Sequence, residues 1–599
     1  MTGDQGYLSK KPEWREAFLN RTIRMAERDK NETCIVLWSV GNEHGQGENV
    51  DFCVEYLREK FDGMPVLHSV DDPKEPKTGD FRTNGYFSME SLMSYPKEGK
   101  PVLLVEYGHA MGNSPGLMED TWDYVYRNRH IVGGYVWEYK NHGFYRCDED
   151  GNVFYQYGGD FEDINHWSNF SMDGYCLSDG TAKPSLGDCK NVLAPAYVIY
   201  ENGKLQIMNT NDFRSLEYLT VQWELCEDYK ILQKGETRLP EIRPYEKWEP
   251  EFGWQLPTLL PGAKYFVNLR FYDETGFQVA DKQVRLDTAF LEREKFVAEK
   301  PDAEIQFIDD LLVIRADNFE IQFKNGMISR YVKNETCLID APMKFNFFRA
   351  PIDNDGVTGW QPRWIAQWDS VFLQYFTFFA ETLETEEEED CIRVIVQGRA
   401  LPTAKYCGFQ VTLVYRIYKD GLVLVEYVGE PYGRMPEVLP RIGVCFELNR
   451  KFRQVEWYGR GPEENYCDRK AHCNIGHYQN TVEKMNFQYG VPQECGTRTE
   501  TAFVKLTDGK EGIGIVGAET FDFSCHDFSL KDLTNARHRN ELKKAGQTYL
   551  YVDYKMRGLG SYSCGPNPEE CYELCPHSFR FVFGLCGKRI QKNCWHFPE

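Results

Sequence analysis

Residues 101–114 read PVLLVEYGHAMGNS, an apolar run that ends at Glu106 and passes into a segment containing Gly108 and Gly112. A short, nearly continuous apolar run bounded by glycine fits a strand buried on both faces, and the same pattern recurs on either side of it. Upstream lie CIVLWSV (34–40), PVLHSV (65–70) and TNGYF (83–87), and downstream lies IVGGYVWEY (131–139). Amphipathic stretches separate them, with helices expected over Lys11–Lys30, Asn49–Phe61 and Leu117–Arg129. Strand followed by helix, repeated, implies a parallel α/β architecture.

The pattern changes near Ala194. KLQIMNT, EYLTVQWELCE and KYFVNLRFYDE alternate apolar and polar residues between turn-rich pieces, as strands of a β-sandwich do. After a charged connection, LEREKFVAEKPDAE (291–304), alternation resumes in DLLVIRADNFEIQFKNG and GFQVTLVYRIYKDGLVLVEYVG and continues nearly to the end. So little helix over about 300 residues implies one large β-sandwich. The fold class expected is therefore multidomain, α/β followed by all-β, divided at 1–193, 194–290 and 291–599.

Composition narrows the function. A chain of 599 residues exceeds a single core, and with 42% hydrophobic and 27% charged residues it reads as soluble and globular. It has no apolar run long enough for a membrane span and no leader-like amino terminus, so a cytoplasmic location is expected. The net charge of −23 opposes binding to nucleic acid or anionic membranes. Nineteen scattered cysteines fit reduced thiols. Cys564, Cys571 and Cys575 lack the paired spacing of a zinc site. Aromatic residues at 15% suit sugar stacking as well as core packing.

Two glutamates stand at strand ends. Glu43 follows the apolar start of WSVGNEHGQG (38–47), and Glu106 ends the apolar part of the run quoted first. In a parallel barrel both would face one mouth, and glycoside hydrolysis needs two such carboxylates. A lone glutamate at a strand end is more often a solvated loop residue; the flanking strings decide against that reading here.

Those strings resemble the signatures of lac-type β-galactosidases of glycoside hydrolase family two. RDKN (28–31), Trp137, YGGDF (157–161) and FSMDG (170–174) follow in family order. RAPIDND (349–355), WYGRGPEENYCDR (457–469) and ECGTR (494–498) resemble the family's terminal β-domain. The resemblance implies the carboxyl-terminal part of a (β/α)8 TIM barrel, an immunoglobulin-like β-sandwich, and a β-galactosidase small-chain-like sandwich. It implies a retaining β-galactosidase acting on lactose-like galactosides, with Glu43 as acid/base and Glu106 as nucleophile. Asn42, Tyr86, His109 and Trp137 would contact the sugar, although core packing or an indirect hydrogen bond is the alternative for each. Glu43 would share Mg2+ with ligands upstream of Met1, and Phe170 with Asp173 would hold Na+.

The match has departures. Asp173 stands where the family has asparagine, Cys564 where some members place a tryptophan, and His44 where serine is common. Only about five strand candidates are present, whereas a closed barrel needs eight. A missing amino-terminal segment or complementary subunit is therefore expected as partner, with a homo-oligomer when complete. The rivals are a β-glucuronidase, disfavoured because proline usually follows its acid/base glutamate, and a non-catalytic carbohydrate-binding or assembly subunit.

Overall fold

The computed structural model describes residues 6–68, 78–288, 298–356 and 364–587. The 291–297 part of the expected charged connection, and Ser69 and Val70 of the PVLHSV run, lie outside them. The chain divides into two compact units. One comprises Met1–Ala110, Asp120–Tyr139 and Cys564–Asn567; the other comprises Met111–Glu119, Lys140–Ser563 and Pro568–Glu599.

In the first unit, helix α1 (Arg15–Asp29) packs on α2 (Glu48–Lys60). Helix α2 buries Val50, Cys53, Val54 and Leu57, the i, i+3, i+4, i+7 stripe of one face. Glu48 and Asp51 in its first turn and Arg58 and Lys60 in its last match the helix dipole. Five strands follow in chain order: β1 (Trp38–Ser39), β2 (Val66–Leu67), β3 (Arg82–Gly85), β4 (Val102–Tyr107) and β5 (Ile131–Val136). Strand β1 pairs in parallel with β2, and β4 pairs in parallel with β3 on one side and β5 on the other. Parallel neighbours in sequential order are the arrangement of a barrel wound in one direction.

Val102, Leu103 and Leu104 of β4 are all buried, so the continuous apolar run corresponds to a strand covered on both faces. Gly134 of β5 has no room for a side chain, since a Cβ there would lie 2.7 Å from Leu104 Cβ. The expected 34–40 strand is corrected: only Trp38 and Ser39 are extended and paired, and Val36 is 70% exposed. Among the described residues β1 has one neighbour, which leaves the start of that run without a ladder.

The second unit begins its regular structure with a hairpin, β6 (Phe144–Cys147) and β7 (Val153–Gln156), and helix α3 (Pro184–Val192). A seven-stranded sandwich follows. Three strands (Ala196–Glu201, Lys204–Asn209, Lys247–Trp248) form one sheet, and four (Thr220–Glu227, Lys230–Arg238, Tyr265–Tyr272, Gln278–Arg285) form the other. Alternate residues Val267, Leu269 and Phe271 point into a core that also holds Ile207, Val221 and Leu225. Three strands facing four is the immunoglobulin-like count.

The terminal domain joins a five-stranded antiparallel sheet, from Ala303 to Ile339, to a twelve-stranded sheet between Lys344 and Gly587. Ile314, Ile321 and Phe323 of the first share one core with Val394, Val396, Leu413 and Val425 of the second. Burying each such side chain contributes about 1.5–3 kcal/mol. No helix among the described residues is long and apolar enough to cross a membrane. All cysteines among them are free thiols.

Candidate active site

The carboxylate site is contained in the first unit. Glu106 is the fifth residue of β4, and Glu43 follows the end of β1 by four residues. Glu43 (φ 46°), Tyr86 (φ 51°) and Glu106 (φ 49°) all have left-handed backbone, which costs a side-chain-bearing residue of order 1–3 kcal/mol. Such strain collects where a side chain must be aimed, and here it falls on three of the residues singled out from sequence.

Burial raises the Glu106 carboxyl above its ordinary range, and the nearby Glu43 charge raises it further. Hydrogen bonds from Tyr86 and Asn42 and the proximity of His109 act in the opposite direction. Four of the named residues therefore converge on one carboxylate. The Tyr86 amide also donates to the Glu106 carbonyl at 3.3 Å. The ring of Tyr86 meets His109 edge-on, with centroids 5.7 Å apart.

Trp137 lies just beyond β5. Its amide donates to the Tyr107 carbonyl at 2.9 Å, and its own carbonyl accepts from Ala110 at 3.0 Å. That ties it to the β4 segment on both sides of His109. Glu43 is exposed while Glu106 is half-buried. Across such a pair, an exposed carboxyl can exchange protons with a leaving group or water while a more enclosed one attacks carbon.

His44, which sequence reading leaves without a role, packs beneath the Gly41–Glu43 turn. Its Nδ1 lies 2.8 Å from the Gly45 carbonyl, and its ring stacks obliquely on His68 at 5.3 Å. Gly41 has φ 143°, and a Cβ there would lie 2.6 Å from the His44 ring. The imidazole thus shapes the turn that presents Glu43.

Residues 3–197 match the TIM-barrel domain of family 2 glycosyl hydrolases, 205–287 match domain 4 of β-galactosidase, and 315–585 match the β-galactosidase small chain. The chain belongs to glycoside hydrolase family 2. A β-galactosidase of Actinobacillus pleuropneumoniae is 30% identical over 97% of this chain and 58% of its own length. β-Galactosidases of Vibrio cholerae (28% identical, 94% of this chain and 56% of that protein) and Kluyveromyces lactis (28%, 97% and 56%) are similar. The chain spans 54–59% of the length of the curated relatives it matches.

In this family 2 chain, Phe170 and Asp173 belong to the second unit. Asp173 is buried, and the buried Lys183 ammonium is its charged neighbour. Burial pulls Lys183 down to about 7, against the opposing charges of Asp173 and Asp353. Its Nζ donates to the Gly112 carbonyl at 2.9 Å. Asp173 shares its surroundings with Lys183, and sodium carries no step below.

Lys183 and Asp353 were not among the residues picked from sequence. Asp353 accepts from Asn169 at 2.9 Å and from Gln493 at 3.0 Å, and Gln493 also accepts from the Asn113 amide at 3.0 Å. Asn113 in turn donates to Tyr466 Oη and to the Glu494 carbonyl. The segment that continues EYGHA is thus held by the terminal domain's own motifs. Cys571 and Cys575 are exposed and take part in no cluster of three potential metal ligands among the described residues.

Proposed function

We propose that this chain is the carboxyl-terminal part of a retaining β-galactosidase, cytoplasmic, divided at 1–193, 194–290 and 291–599. What carries the reading is the set of side chains acting on Glu106: Glu43 beside it, with Tyr86 and Asn42 hydrogen-bonded to it, at the end of a parallel barrel strand. The substrate class is a terminal β-D-galactoside such as lactose.

Glu106 in its ionised form attacks the anomeric carbon while Glu43 donates its proton to the departing glycosidic oxygen. The Tyr86 and Asn42 hydrogen bonds favour that ionised form. Once Glu106 is an ester its charge is gone, and Glu43, having given its proton to the departing oxygen, is left as the base. It then takes a proton from water, which opens the ester. Asn42 and His109 would hold sugar hydroxyls, and Trp137 would floor the site.

A magnesium ion commonly takes one or two protein carboxylates and keeps several waters, so the exposed Glu43 fits as one ligand. The family resemblance places its other ligands outside this chain. The ion would supply positive charge beside the acid/base.

Two of the six residues of β5 are uncovered: Val132 is 54% and Tyr135 49% exposed. Such apolar exposure is what the remaining barrel elements would bury, and we read it as the seat of an amino-terminal segment. The complete enzyme would then be a homo-oligomer. The β-glucuronidase and non-catalytic readings have no observation in their favour. The test is hydrolysis of a chromogenic galactoside by the chain alone and mixed with the amino-terminal part of the Actinobacillus relative. Activity in the mixture that is lost with Glu106→Gln is expected, and activity that survives this substitution refutes the reading.

A further inference from the structure

The second unit contains a cavity of about 530 Å³ that no step of the proposed reaction uses. It is lined by the tip of the β6–β7 hairpin, by residues 483–495, and by the 527–544 segment. Sites that take small molecules are commonly about 300–1,000 Å³, so this volume accommodates one or two hexose rings.

The lining specifies the ligand chemistry. The rings of Phe487 and Phe528 and the amides of Asn152, Gln488 and Asn540 line the cavity, with the Asn152 amide donating to Asp148. Asn540 gives its Nδ2 to Asp148 at 3.3 Å, and its Oδ1 has no protein donor among the described residues. Charge is balanced: Glu483 and Asp527 face Arg539 and Lys544. Arg453 bridges the two carboxylates, 3.1 Å from Asp527 and in contact with Glu483, and Asp148 beside Asn540 brings the local count to three carboxylates and three cations. Arg539 spends its Nε on the Val153 carbonyl and lies over the Tyr155 ring, 5.0 Å from its centroid. The lining thus offers neither a surplus cation for a phosphate nor a surplus anion for an amine. Aromatic rings beside amides that both donate and accept suit a neutral ligand with apolar ring faces and hydroxyl edges.

We propose that this cavity is a saccharide-binding site for a neutral mono- or disaccharide, additional to the carboxylate site of the barrel. The proposal does not depend on the galactosidase reading, because none of the lining residues belongs to the Glu43–Glu106 set. It gives the chain a place to hold sugar chains or products without cleaving them.

The test is titration of the purified 599-residue chain with D-galactose, lactose and maltose, followed by calorimetry and by saturation-transfer NMR. Gln488 is exposed, so Gln488→Trp would fill the cavity without disturbing the core. It should weaken binding about tenfold or more, and the exposed hairpin change Asn152→Ala about two- to fivefold. Unchanged melting temperatures would show that both variants fold. Binding of at least one saccharide that is lost in Gln488→Trp and retained in Glu106→Gln is the expected result. No binding by any of the three sugars, or binding unaffected by Gln488→Trp, overturns the site. Loss only in Glu106→Gln would assign the sugar to the barrel and overturn this proposal while leaving the galactosidase reading intact. Preference for a sugar phosphate over the neutral sugars would refute the charge argument.

Discussion

Glu43 and Glu106 interact through their charges: the first raises the proton affinity of the second, after burial has already raised it. Replacing Glu43 with Gln removes one of the two causes. In the completed enzyme, the acid limb of kcat/KM, which follows ionisation of Glu106, should move to lower pH in Glu43→Gln but stay above the ordinary carboxylate range. The same variant should lose about 10²–10⁴-fold on substrates with poor leaving groups and far less on activated aryl galactosides. Equal losses on both would remove Glu43 from the proton-donor role.

Tyr86 works in the other direction, because its hydrogen bond lowers the Glu106 carboxyl. Tyr86→Phe keeps the ring against His109 and removes only the hydroxyl. Its acid limb should shift to higher pH, with the basic limb unmoved. A profile identical to the parent's would mean that the hydroxyl does not reach Glu106 during turnover.

Glu106 also affects stability, and the sign can be tested on the chain alone. Its folded-state proton affinity is above the unfolded value, so its contribution is fully present below the unfolded carboxylate range. That contribution is lost as pH rises through the folded value. Glu106→Gln does not titrate and escapes the loss. The variant should therefore melt higher than the parent at about pH 7, with the difference shrinking toward about pH 4. A parent that is the more stable of the two at neutral pH would contradict the burial of this carboxylate.

The alternation of strand and helix was legible because a strand covered on both faces must be apolar throughout, as β4 is, and the sandwich strands because theirs is apolar every second residue. The extent of β1 was not. CIVLWSV has the composition of a buried strand, but composition reports what a segment can bury and not whether a neighbour is there to pair with it. Lys183 and Asp353 were missed for a different reason. Asn113 and Gln493 meet across 380 residues of sequence, and no local pattern announces such a meeting.

Residues from four of the motifs, Asn113, Asp353, Tyr466 and Glu494, are parts of one buried polar network through Gln493. Gly112 has φ 58° and no space for a Cβ beside Asp353 and Gln493, and Gly116 has none beside Asp468. The 112–116 part of EYGHAMGNSPG thus packs without spare room against residues of RAPIDND and ENYCDR.

The network's centre makes a stability prediction. Asp355 binds Arg349 at 2.7 and 3.0 Å and Arg557 at 3.2 Å, all three side chains fully buried. Asp355→Ala leaves Arg349 without a carboxylate partner in that set and should cost about 3–5 kcal/mol in denaturant unfolding. A loss under about 1 kcal/mol would show that the network is not holding the terminal domain together.

The most direct measurement is peptide mapping after inactivation by a 2-deoxy-2-fluoro-galactoside, with the chain completed by an amino-terminal segment. The account expects a single glycosyl adduct on the peptide containing Glu106, absent in Glu106→Gln and formed on Glu106 regardless of the state of Glu43. An adduct on Glu43, or galactoside hydrolysis by the mixture with no adduct at Glu106, would contradict it.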